Sequence, residues 1–391
     1  MKKLLIMCLS VLSIMGCRSI GPNTVRLDRG TYNNIVLQTE QEQLLMNIVR
    51  LRYMEGDQYT QISAITASYS LNESVSGGVT TNSMPPNILQ SVESSLSPSV
   101  NYTDSPTISY TPLSNMEFTK SLLTPVTMTN FLLLAHAGAY DYTMLYSIVL
   151  EDIGEVEANL LNVGGANYLT PQYKTYMKTI HLLNKLYRHG GFQVPRAIAY
   201  DKNIGALLRF HKRFIRSPDA LQLKKLLNVP LDTRDLIFIE HPLLEELQEK
   251  NGVLAFGNPK TNIKNLVYVR FRSLLSIMSI LSRGIQVPRQ DICAHLTKEL
   301  IEADGSTYDW RKDMKDIITI YSSDKIPRDD VLVKVYLHHH WFYIRASDVT
   351  SKDTFTALQR LFILTSSDTP GAALPILTIP VAARPTANSS H

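Results

Sequence analysis

Cysteine is nearly absent: three residues in a chain of 391, at positions 8, 17 and 293. Cys8 and Cys17 belong to an apolar leader and its boundary, so Cys293 stands alone and an intramolecular disulfide framework is excluded. An excess of one charge is missing too. Lysine and arginine number 39 against 35 aspartate and glutamate, a formal charge of +4, and removal of Lys2 and Lys3 with the leader brings it to +2. So balanced a chain has no bulk electrostatic reason to bind nucleic acid, and no nucleic-acid partner is expected. No apolar stretch reaches the roughly 20 residues that a helix needs to cross a bilayer. No serine sits in a Gly-x-Ser-x-Gly elbow and no phosphate-binding glycine loop occurs, so two common enzyme signatures are lacking. The 44% of hydrophobic residues still suffices for one large or two ordinary cores.

What is present is clearest at the amino terminus. Lys2 and Lys3 precede an apolar run from Leu4 to Met15, and Gly16 stands before Cys17. The lysines stay on the cytoplasmic side while the run enters the membrane, which reads as a signal peptide over residues 1–16. Ile14-Met15-Gly16-Cys17 has the form of a bacterial lipobox, in which the Cys17 thiol is alkylated with diacylglycerol and the freed amine takes a further chain such as palmitate. Each buried methylene contributes about 0.8 kcal/mol, so a multiply acylated cysteine is a lasting anchor. Arg18-Ser19 replaces the Asp that signals inner-membrane retention, and the expected location is the periplasmic face of the outer membrane.

Along the rest of the chain the periodicity changes twice. A lipidated tether is expected over 17–38, then a helix from Thr39, whose capping box with Glu42 precedes the stripe Leu44, Leu45, Ile48, Val49 and Leu51. Residues 61–71 and 99–113 read as strands joined by a long polar connection at 72–98, so 39–125 is a helix plus a β-hairpin region. Residues 126–300 read as mainly helical: a buried run at 130–135, a helix at 142–150, another from Thr170-Pro171 to Gly190-Gly191, a basic helix at 204–215, a short strand at 235–240, and helices at 265–282 and from Pro288. Within 301–380 the alternation of Val331, Val333, Val335 and Leu337, with Trp341 to Ile344, predicts a β-hairpin, followed by a helix capped by Ser351 and an extended 374–380. Residues 381–391 read as a disordered tail. The class is α+β, a helix-rich middle flanked by β-rich N-terminal and C-terminal portions.

Five segments, EQLLMNIVRLRY (42–53), SVNYTDSPTISYTPLSNMEFTKSLLTP (99–125), VYVRFRSLLSIMSILSRGIQVP (267–288), WFYIRASDVTSKDTF (341–355) and LPILTIP (374–380), resemble in that order a family of uncharacterised proteobacterial lipoproteins. The resemblance implies an outer-membrane setting and supplies no activity, cofactor or catalytic residue.

The candidate chemistry is thin. His338 and His340 of the triple-histidine run are the metal candidates, set against a plain hairpin tip. Arg209, Lys212, Arg213 and Arg216 share one side of the expected basic helix and form a candidate contact for an anionic surface. Glu245, Glu246, Asp235, Asp329 and Asp330 are not brought together as a glycosidase pair by any spacing. Cys293 reads as a small core residue. No catalytic residue and no cofactor is assigned. The expected function is that of a non-enzymatic lipoprotein, a structural or accessory subunit of an envelope assembly such as a secretion system, in contact with envelope proteins or with further copies of itself. The alternatives are a protein that binds or hydrolyses cell wall or outer-membrane lipid, and an oligomeric pore-forming lipoprotein.

Overall fold

The computed structural model describes residues 20–66, 69–81, 92–104, 107–137, 140–154, 156–157, 171–193, 195–200, 203–240, 265–301, 304–367 and 376–378. The leader, Cys17, Thr170, Glu245, Glu246 and the tail at 381–391 lie outside them. In chain order the elements are α1 (Ile20–Arg52), β1 (Thr60–Thr66), β2 (Tyr69–Thr81), β3 (Val92–Asp104), β4 (Thr107–Pro112), α2 (Met116–Leu123), α3 (Met128–His136), α4 (Tyr142–Val149), β5 (Leu150–Ile153), β6 (Val156–Glu157) and α5 (Pro171–Arg188). Then come β7 (Arg196–Tyr200), β8 (Asn203–Arg209), α6 (Pro218–Leu226), β9 (Asp235–Glu240), β10 (Leu266–Phe271), α7 (Leu274–Leu281), α8 (Arg289–Cys293), α9 (Arg311–Met314), β11 (Tyr321–Ser323), β12 (Val331–Leu337), β13 (His340–Arg345), α10 (Val349–Ser367) and β14 (Ile376–Thr378). The class is α+β, and the chain divides into two compact units, residues 1–58 with 115–370 and residues 59–114 with 371–391.

The larger unit is organised around α7. Leu274, Ile277, Met278, Ile280 and Leu281 are all buried, while Leu275, Ser276 and Ser279 are only partly so. Around it pack α1, α2, α4 and α10. From α1 the buried side chains are Leu44, Leu45, Ile48 and Val49, the stripe visible in the sequence. The helix itself begins well before Thr39. The Thr39 hydroxyl bonds back to the Val36 carbonyl at 2.9 Å, the mid-helix use of the same group that caps a helix start. A second layer is a six-stranded sheet in the order β6-β5-β10-β9-β8-β7, with β9 and β10 parallel and the remaining neighbours antiparallel. The hairpin β12–β13 forms with β11 a three-stranded sheet whose Val333, Val335, Phe342 and Ile344 are buried.

That six-stranded sheet runs through the region read as mainly helical. Two expected helices give way to strands for one reason, a period of two concealed in short apolar runs. In β8 and just beyond, Ala206, Leu208 and Phe210 are buried alternately, so the basic helix at 204–215 does not form. In β10 the same holds for Val267, Val269 and Phe271, and the helix expected from 265 starts only at Leu274, where the Ser273 hydroxyl accepts from Ser276 N at 3.2 Å. Other starts shift by a few residues. Asn115 caps α2, accepting from Phe118 N at 2.8 Å, and Asp348 rather than Ser351 caps α10.

The smaller unit contains a sheet of order β14-β1-β4, with β14 parallel to β1 through the pairs Ala64–Ile376, Ile65–Leu377 and Thr66–Thr378. The amino-terminal and carboxy-terminal extended segments thus share one sheet. Most of the expected polar connection at 72–98 is strand as well: β2 and β3 pair in register from Tyr69–Asp104 to Thr81–Val92. Serine, threonine and glycine, abundant there, suit a pleated ribbon when partners are in register, which their polarity alone does not reveal.

Gly284 gives a direct test of the packing. A Cβ added there would stand 2.6 Å from the Ile318 carbonyl oxygen and 2.7 Å from its Cγ2, at the bridge between Ile285 and Ile320. Gly284→Ala should cost about 1–3 kcal/mol in denaturant unfolding. Gly30→Ala, at a helical position with nothing within 4 Å, should gain up to about 1 kcal/mol.

Candidate functional site

A cluster of polar side chains in the larger unit gathers at the carboxy-terminal end of α1. Tyr53, just past the helix, is held by the core beneath it and donates its hydroxyl to Asp291 Oδ2 at 2.5 Å. Asp291 is buried at the start of α8, and its other oxygen lies 3.6 Å from His340 Nε2. His340 is also buried, at the start of β13, and its Nδ1 lies 2.8 Å from Asp324 Oδ1, a carboxylate largely open to water. Above it the turn of the hairpin carries His338 and His339 with φ of 48° and 65°, a two-residue turn that needs positive φ at both positions. The turn brings His338 onto Tyr53, ring centroids 4.7 Å apart, with its Nε2 2.7 Å from Glu55 Oε1.

A continuous polar path therefore runs from solvent at Asp324 through His340 and Asp291 to Tyr53. Burial, and after it the hydrogen bond to Asp291, raises the Tyr53 pKa far above its ordinary value, so the phenol keeps its proton and serves as a donor. No thiol or serine hydroxyl takes part in this network as described. The arrangement satisfies buried charge and binds α1, α8 and the hairpin to each other. Beside it Arg52 holds Glu299 at 2.7 Å and the Lys298 carbonyl at 3.1 Å.

The residues singled out from the sequence fall as follows. His338 and His340 both face this region, but each is engaged by carboxylates, and among the described residues no three His, Cys, Asp or Glu side chains are placed to share a metal ion. Arg209, Lys212, Arg213 and Arg216 are not on one helix. Arg209 ends β8 and is bound through two hydrogen bonds to Asp235, at 2.7 and 2.9 Å. Lys212 and Arg213 lie on a single 3-10 turn at 212–214 with Arg216 just beyond, all three exposed. That turn is anchored by a residue the sequence did not mark: the buried Lys224 ammonium donates to the carbonyls of Ile215, at 2.7 Å, and Leu231, at 3.0 Å, and lies 4.6 Å from the Phe210 ring centre. Cys293, read as a core residue, is exposed at the end of α8, because that helix stops after five residues and His295 turns the chain with φ of 56°. Asp330 is tied to Ser347 rather than to a second catalytic acid.

Two hollows complete the larger unit. An apolar cavity of about 30 Å³ lies between α3 and the sheet, lined by Met128, Phe131, Leu208 and Phe271 among others, with room for about one molecule of water size. An open groove of about 530 Å³ runs along α5, with Lys174, Lys178, His181 and Lys185 at its rim, and Lys185 is paired to Asp219 at 2.9 Å.

No protein family, curated protein or solved structure matches this chain.

The polar path predicts energetic coupling. Tyr53→Phe should lower stability by about 1–3 kcal/mol, since it removes the hydroxyl that donates to Oδ2 of buried Asp291. In a double-mutant cycle with Asp291→Asn the two losses should fall short of adding, by at least about 0.5 kcal/mol. Strict additivity in denaturant unfolding would show that the contact carries no energy.

Proposed function

We propose that this chain is an exported lipoprotein, anchored through Cys17 to the periplasmic face of the outer membrane, and that it works there as a non-enzymatic structural or accessory subunit of an envelope assembly such as a secretion system. The leader and lipobox support the address. The observation that carries the role is the β2–β3 ribbon. Each strand is 13 residues long, and among the described residues neither pairs with any third strand. At about 3.4 Å per residue the ribbon is roughly 44 Å in length.

Two strands alone are marginal in water, and long unpaired edges are templates for further strands. A ribbon of this length suits strand addition, in which main-chain hydrogen bonds supply affinity and alternate side chains supply specificity. The same edges could be met by other copies of this chain, so a closed oligomer, and a pore built from it, is the second reading that the ribbon favours. An enzymatic role draws no comparable support from the polar network, which is occupied with internal partners.

Two measurements test the proposal. Cys17→Ser should lose incorporation of labelled palmitate and either leave the membrane fraction or accumulate with its leader uncleaved, whereas a cleaved variant still bound to membranes would show another anchor. Extraction of the wild-type protein in mild detergent should yield it in a complex with envelope proteins or as a discrete oligomer. A monodisperse monomer, free of other proteins, would count against the structural role.

A further inference from the structure

We infer that the β2–β3 ribbon spans a membrane, and that ribbons from several copies of this chain close into a β-barrel with hydrocarbon outside and water within. The inference deepens the second reading of the ribbon, a closed oligomer, and rests on it. β2 and β3 pair residue for residue from Tyr69–Asp104 to Thr81–Val92 without a bulge, so alternate positions fall on opposite faces along the whole length. One face takes the even positions of β2 and the odd positions of β3. Apart from Glu93, every residue there is serine, threonine, asparagine or glycine. The other face takes every leucine, valine and tyrosine of the two strands, Leu71, Val75, Val79, Leu96 and Val100 among them.

Sorting of this kind belongs either to a soluble sheet laid on a core or to transmembrane strands, which alternate lipid-facing and lumen-facing residues. Three observations favour the second. Within the smaller unit, β1, β4 and β14 do not pack extensively on the ribbon, so none of them covers its apolar face. The polar face lacks the lysines with which soluble sheets meet water and guard their edges. No lysine, arginine or histidine stands anywhere between Arg52 and Lys120, in a chain with 39 lysines and arginines. The length fits as well, since each strand has 13 residues and a transmembrane strand needs about 9–11. From Leu71 to Thr81 a tilt of about 40° turns roughly 34 Å of strand into roughly 26 Å of depth, the height of the apolar band of such barrels. Tyr69 and Tyr102 then stand at one boundary, where aromatic girdles occur, and Glu73 lies roughly 5 Å inside it, where a carboxylate costs little.

A single hairpin cannot enter hydrocarbon alone, because its outer edges leave main-chain N–H and C=O groups unsatisfied, and closure removes the edges. Neighbouring copies bring the same ribbon with complementary edges. The smallest transmembrane barrels have about 8 strands, so about four copies or more are required at two strands each. Small polar residues on the inner face leave room for water, and Glu93 from each copy forms an acidic ring there.

The test uses the full-length protein reconstituted into vesicles of phosphatidylglycerol and phosphatidylcholine. A Cys293→Ser background removes the exposed thiol, and single new cysteines then carry an environment-sensitive fluorophore. Val75→Cys, Val79→Cys and Leu96→Cys should give blue-shifted emission that is quenched by nitroxide-labelled lipid and not by iodide. Ser74→Cys, Ser76→Cys and Ser97→Cys should give the reverse. Native mass spectrometry of the same preparations reads the number of copies. A discrete oligomer with no lipid quenching at any site, or with the apolar positions shielded from both quenchers, overturns the membrane span and leaves the closed oligomer standing. A monomer overturns both. The wild-type chain in planar bilayers supplies a measurement that does not depend on the cysteine variants folding: stepwise conductance that prefers potassium over chloride, with the preference lost in Glu93→Gln. Bilayers that hold the oligomer and stay silent overturn the barrel.

Discussion

Everything in the larger unit depends on the burial of the last turns of α1. Leu45, Ile48 and Val49 are fully enclosed by α7 and the hairpin sheet, and each such side chain contributes about 1.5–3 kcal/mol relative to exposure. Asn47, also buried, pins the chain beyond the helix: its amide donates to the Gln58 carbonyl at 2.8 Å, and its own oxygen accepts from Gln58 N at 3.1 Å. The helix that does this is 33 residues long, roughly 50 Å at 1.5 Å per residue, and it starts at Ile20. With a lipid on Cys17, this helix would stand between the anchor and the core. Pull on the anchor would then reach α7 and the hairpin directly.

The polar residues past that helix follow from the same constraint. Once Tyr53 is carried into the interior, its hydroxyl needs an acceptor, and Asp291 supplies one. Asp291 is in turn faced by His340, and His340 by Asp324 at the surface. The chain of partners is what a buried polar group demands in a low-dielectric setting, and it explains why His338 and His340 turn toward carboxylates while His339 stays exposed at the tip. Two of the three histidines are drawn in by carboxylates on other elements, Glu55 and Asp324, at sequence separations of 283 and 16 residues.

How far the sequence revealed this depends on which signal each element uses. The stripe from Leu44 to Val49 and the hairpin alternation from Val331 to Ile344 are local patterns, and they were readable. The strands at 203–209 and 266–271 were hidden because apolar runs of six or seven residues fit either period, and the sheet around them decides. The ribbon β2–β3 was hidden for a different reason: its evidence is the register between Tyr69 and Asp104, which no single segment contains. The same is true of the polar path, which joins Tyr53 to Asp291 across 238 positions. Asp291 and Asp324 look ordinary in their own neighbourhoods. Cys293 misled because the helix expected from Pro288 ends after five residues, and the chain turns away at His295.

The ribbon concentrates the functional question, since a strand pair of this length has two edges that no other described strand covers. Hydrogen exchange at the β2 and β3 amides addresses it most directly, comparing the purified protein in detergent with the same protein in intact outer membranes. The outward-facing amides, those that do not bond across the β2–β3 ladder, should exchange at least tenfold more slowly in the membrane because a neighbouring strand covers them. Equal and rapid exchange in both settings would contradict a role built on strand addition.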